Sequence, residues 1–103
     1  MTERSYVYAV FLHVKSLWLR DMTGLRQLGG AYAWRRVTAN DITSAPGLAI
    51  ESLLSSPILI AEAGPTTADD CEIIVEQIVC LEPGEDLKQK SIVFYIETDE
   101  EGH

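Results

Sequence analysis

The chain has no apolar run near the ~20 residues that a membrane-spanning helix requires, so a transmembrane helix is not expected. It has no CxxC, no HExxH and no paired histidines, and a metal site would need unrelated residues to converge; none is expected. Neither GxGxxG nor GxxxxGKS/T occurs, and Gly29-Gly30 is not followed by the helix N-terminus that a phosphate loop needs. Serine, histidine and aspartate are present, but without a nucleophile elbow or any other local catalytic signature. These absences leave no cofactor to expect and tilt the reading away from an enzyme. The start of the chain lacks the order of a secretory signal: Glu3 stands beside the lone Arg4, and the apolar run that follows is interrupted by Tyr6, Tyr8 and His13. A cytoplasmic protein is the expectation.

Cysteine is scarce. Cys71 and Cys80 are nine residues apart, which puts them on opposite sides of a helix and on opposite faces of a strand. A disulfide needs Cα atoms within ~7 Å, so if this segment is one regular element the two are free thiols, as in a reducing compartment.

Basic residues are few and unevenly placed. Of 103 residues, 47% are hydrophobic and 23% charged, and the net charge is −8. Residues 1–38 hold six basic residues against two acidic ones, a net of +4, whereas residues 39–103 hold only Lys88 and Lys90 against fourteen acids, a net of −12. Such a division fits an acidic face for a basic partner, or two halves that attract each other within one chain or across a homodimer. It disfavours nucleic acid, because an acidic domain repels phosphate unless Arg20, Arg26, Arg35 and Arg36 form a separate patch.

The length is that of one domain, 1–103, with a frayed acidic tail at 99–103. Ser5 to Val14 is apolar on both alternating sets, as in an inner strand. Residues 15–28 read as a helix: Ser16 is a cap, Trp18, Met22, Leu25 and Leu28 recur at helical spacing, and Gly29-Gly30 stops it. Residues 31–38 read as a strand, and residues 45–55 as a helix capped by Ser44 with Pro46 in its first turn. The run Ser56-Pro57-Ile58-Leu59-Ile60-Ala61 reads as a central strand buried on both faces. Residues 67–81 fit two templates. Thr66-Thr67-Ala68-Asp69-Asp70 resembles a helix start, which favours a helix, whereas the density of Ile and Val suits a strand. That strand would form a hairpin with the last element. Residues 91–98 read as a strand.

The sum is a single α+β domain: a four- or five-stranded mixed or mainly antiparallel sheet packed against two or three helices. A parallel α/β sheet is the second choice. The strand–helix–strand–helix–strand order faintly resembles a thioredoxin-like layout over about half the chain. Trp18-Leu19-Arg20-Asp21-Met22 lies where that family has WCGPC, and Ser56-Pro57 precedes a strand as the family's cis-proline does. Leu19 and Met22 stand where the family has cysteines, so the resemblance implies no dithiol chemistry.

Two functional readings follow. The first is a non-catalytic protein-binding module, a small adaptor, inhibitor or immunity-type protein with an acidic surface for a basic partner. Asp69, Asp70, Glu72 and Glu76 would carry the charge, and Trp34, Arg35 and Arg36 form the best interface-type patch. The second is a small homodimeric enzyme or ligand-binding domain. Its pocket would lie between sheet and helices and use His13 and Tyr6 or Tyr8, with Arg36 for an anionic substrate.

Overall fold

The computed structural model describes residues 4–20, 23–85, 87 and 92–97. Its frame is a long antiparallel hairpin, β1 (Tyr6–Arg20) and β2 (Arg26–Ala39). Two helices follow, α1 (Ala45–Leu54) and α2 (Pro57–Ala63), then β3 (Glu72–Leu81) and β4 (Val93–Ile96). The sheet order is β3-β1-β2-β4, and every pairing is antiparallel. This is the α+β class, with four strands and two helices among the described residues.

The hairpin replaces the helix expected at 15–28. Val14 pairs with Ala31 and Leu17 with Gly29, so β1 carries one extra residue between them, and Ser16 takes φ 59°. A bulge of this kind shifts the phase of the alternation. It keeps Leu17 and Leu19 buried, in line with Val10, Leu12 and Val14, and leaves Trp18 half exposed. Leu25, expected in the core, is 68% exposed near the hairpin end; Met22 lies outside the described residues. Gly29 and Gly30 stop no helix. They lie inside β2, where a Cβ on Gly30 would strike the Val14 carbonyl and the Tyr95 ring. The stripe at helical spacing lost because the two strands pair along the whole hairpin, to Arg20 and Arg26, while burying the alternate set.

The segment expected as the central strand is α2. Pro57 is tolerated at the start of either element, and helical spacing decides what is buried here: Leu59 and Ala63 are enclosed, while Ile58 and Ile60 are 53% and 40% exposed. Helix α1 forms where expected and buries Ala45, Ala49 and Leu53, but without a side-chain cap from Ser44, whose hydroxyl donates to Asp41 instead. Its first turn is prepared by Asp41, whose Oδ1 accepts hydrogen bonds from the Ser44 backbone N–H and the hydroxyls of Thr43 and Ser44. Opposite α1, β2 offers Ala31, Ala33, Val37 and Ala39. Small side chains let helix and sheet approach closely, and Val10, Leu12, Val14, Leu17, Leu53 and Leu59 fill the layer between them.

Residues 72–81 form a strand, so the helix preferred for them is corrected. The Thr67–Asp70 region is a turn: Asp70 N–H donates to the Thr67 carbonyl, and the Asp70 carboxylate accepts from the Thr67 N–H and hydroxyl. The acids that mimicked a helix start close this turn instead. The hairpin with the last element is not formed either. β3 pairs with β1 and β4 with β2, on opposite edges of the sheet. The thioredoxin-like order is absent, since residues 18–20 are strand and Pro57 opens a helix. The tail at 99–103 lies outside the described residues.

Candidate functional site

Both helices pack on one face of the sheet. Among the described residues, no helix or strand covers the other face. Strand alternation and the β1–β2 register place Phe11 opposite Trp34 and His13 opposite Tyr32 on that face. The rings form a continuous row. Trp34 stacks on Phe11 with centroids 4.8 Å apart, Phe11 on Tyr32 at 5.8 Å, and Tyr32 on His13 at 4.2 Å. Tyr95 of β4 completes it, 5.6 Å from Tyr32. Offset ring contacts at such spacings stabilise by about 0.5–1.5 kcal/mol each beyond area burial.

His13 is held from two sides. Its Nε2 is 2.7 Å from the Tyr95 hydroxyl and its Nδ1 is 3.5 Å from Glu76 Oε2. Gln77 pairs with Phe11 and Val75 with Leu12, so Glu76 is the extra residue of a bulge in β3, the irregularity that turns its carboxylate towards His13. Burial raises the Tyr95 phenol above its ordinary pKa, helped by Tyr32 and Glu97. It therefore stays protonated at neutral pH and shares a hydrogen bond with Nε2, while Nδ1 faces Glu76. A phenol shifted in that direction is not an activated nucleophile. The trio fixes the ring row in place and joins β4 to β1 and β3.

The structure separates several residues that the sequence grouped. Trp34 and Arg36 lie on the uncovered face. Arg35 points the other way and ties β2 to α1, donating from Nε and Nη2 to Ser52 Oγ at 3.1 and 2.8 Å and from Nη2 to the Ser52 carbonyl at 3.4 Å. Tyr8 is buried on the helix side, and Tyr6 stands near it at the strand's end, so neither meets His13. The hydroxyl hydrogen-bonded to His13 is that of Tyr95 and the ring stacked on it is that of Tyr32, neither of which the sequence reading selected. Glu72 is exposed opposite Lys15, and Asp69 and Asp70 are exposed in the turn before β3. Cys71 and Cys80 are free, Cys71 partly buried and Cys80 exposed.

A concavity of about 400 Å³ lies between the distal part of the hairpin and the end of α2, lined by Leu17, Trp18, Arg26, Pro65, Thr66 and Asp70. His13, Tyr6 and Tyr8 do not line it. Among the described residues no group of three or more His, Cys, Asp or Glu is placed to hold a metal ion, and no helix is long and apolar enough to cross a membrane. No protein-family model, curated protein or solved structure matches the chain.

Proposed function

We propose that the protein is a non-catalytic binding module whose uncovered sheet face and acidic β3 strand receive a basic protein partner. The observation that carries this reading is the asymmetry of the sheet. One face is closed by α1 and α2; the other presents the row Trp34–Phe11–Tyr32–His13–Tyr95, with Tyr32 37% exposed and Val93 46% exposed beside it. Aromatic side chains on a preformed surface are the residue types that anchor interfaces, and their ring faces attract arginine and lysine. Beside them, residues 64–85 contain six acids, Asp69, Asp70, Glu72, Glu76, Glu82 and Glu85, and no lysine or arginine. An acidic rim steers a basic partner and sets its orientation.

The test is native mass spectrometry of the protein purified gently from its own cells, with Trp34→Ala and Asp69→Lys/Glu72→Lys variants in parallel. The expected result is a stoichiometric complex with a basic chain that both variants lose. A bare monomer, or a complex indifferent to both variants and to salt, would reject the reading.

The 400 Å³ concavity favours a second reading, a small-ligand domain, because Arg26 and Asp70 line it beside Leu17 and Trp18. A mass increment of a few hundred daltons on the native protein, lost in Arg26→Ala, would support it over the first.

A further inference from the structure

We propose, resting on the basic-partner reading above, that the partner enters as an extended basic segment that adds a strand to the outer edge of β3. Among the described residues β1 is the sole sheet neighbour of β3, so the outer row of N–H and C=O groups along its ten residues has no strand partner. That row is ~33 Å long. Sheet edges are ordinarily blunted by brevity, by charged side chains, by proline or by bulging. On the opposite edge β4 has only four residues, and β2 beyond Tyr32 carries Arg35 and Arg36. β3 has ten residues, no proline and none buried; what blunts it is Glu72, Glu76 and the bulge at Glu76, and acidic side chains oppose an acidic strand while admitting a basic one. Strand addition draws affinity from the main-chain ladder and selectivity from the side chains that alternate along it.

Charge decides the occupant. Glu72 and Glu76 lie within the strand, Asp69 and Asp70 before it, and Glu82 and Glu85 after it, with no cation in the whole stretch. A second copy pairing antiparallel would set Asp69 and Asp70 of each chain beside Glu82 and Glu85 of the other. A parallel copy would align each acid with itself. Like charges directly opposed across strands are unfavourable, so self-pairing is opposed in both directions. A segment alternating basic and apolar residues fits instead. Its cations face the side carrying Glu72 and Glu76, and its apolar residues continue the row of Ile73 and Ile78, which pack against the core.

The probe is an acetylated ten-residue peptide alternating lysine and valine, with a control of the same sequence N-methylated at alternate residues. The methyl groups remove the ladder donors and keep the charge. Binding is read by fluorescence anisotropy, and its location by amide hydrogen exchange on the full chain. The expected result is binding that weakens about tenfold in Asp69→Lys/Glu72→Lys, two exposed acids outside the His13 contact, and at least as much with the methylated peptide, with slowed exchange confined to residues 72–81. Equal binding of both peptides, with protection at Tyr32 and Trp34 rather than at β3, would overturn strand addition while leaving the basic-partner reading standing. Failure of both peptides to bind at low salt would overturn the two together. Concentration-dependent dimerisation that the peptide displaces would overturn the proposal in favour of a second copy.

Discussion

Gly30 is the residue on which the ring row most directly depends. Without a Cβ it lets the Tyr95 ring lie across β2 and reach His13. Gly30→Ala would collide with the Val14 carbonyl and with that ring, so we expect a loss of about 1–3 kcal/mol in urea unfolding, together with loss of the Tyr95–His13 contact in NMR spectra. Tyr95→Phe removes the hydroxyl alone and is expected to cost about 0.5–1.5 kcal/mol. It should also change the alkaline limb of stability. The folded phenol ionises at higher pH than the unfolded one, so its contribution is complete below the ordinary tyrosine range and is lost as pH rises through the raised value. Stability of the parent protein should therefore fall more steeply than that of Tyr95→Phe between about pH 9 and 11. The cysteines differ in a measurable way. Burial and the neighbouring Asp70 push the Cys71 thiol up, and the side chain is partly covered, whereas Cys80 is exposed. Thiol labelling near neutral pH should modify Cys80 first; equal rates would contradict the placement of both.

At the scale of elements, the informative segment is α2. Its sequence, PILIAEA, is apolar enough for a strand buried on both faces, and such a strand would make Ile58, Leu59 and Ile60 similarly sensitive. The helix makes them unequal. Leu59→Ala should cost about 2–5 kcal/mol because the side chain is fully enclosed. Ile58→Ala and Ile60→Ala should each cost well under that, near the ~0.5 kcal/mol of ordinary surface changes. Denaturant midpoints of the three variants separate the alternatives. The turn ahead of α1 supplies an acid-sensitive point. Hydrogen bonds from the Thr43 and Ser44 hydroxyls and the Ser44 N–H hold the Asp41 carboxyl below its ordinary range. Its contribution is present above the unfolded carboxyl range and disappears as pH falls through the depressed value. Asp41→Asn should lower the thermal midpoint at neutral pH and flatten its fall between about pH 5 and 2.

Over the whole molecule, the first and last strands in sequence belong to one sheet without being neighbours in it. Its order places β3 and β4, the last strands in sequence, on opposite sides of the hairpin formed by the first two. The acidic stretch thus lies along one edge while the aromatic row crosses from β1 through β2 to β4. Charge reversal at Asp69 and Glu72, which lie outside the His13 contact, should consequently act on association rate, by about tenfold at low salt, and Trp34→Ala on dissociation rate; stopped-flow measurements with the native partner distinguish the two.

The amino-acid sequence by itself determined the class of the molecule: a chain of 103 residues with alternating apolar runs at Ser5–Val14, 31–38 and 91–98, a helix at 45–55 and a lopsided distribution of charge. Those features are local, and alternation or helical spacing within about ten residues suffices to express them. It also grouped Trp34, Arg35 and Arg36 as one patch, from which the tertiary structure turns Arg35 towards Ser52 of α1. Only the tertiary structure decided that residues 15–20 extend β1, that 57–63 is helix and that 72–81 is strand. Each of these segments fits two periodicities, and what broke the tie was distant: the β2 ladder, the sheet surface under α2, and the free side of β1. The His13–Tyr95–Glu76 contact belongs to the same class, because residues 82 and 63 positions away from His13 reach it through strand register and two bulges. No pattern confined to one segment encodes a meeting of three strands.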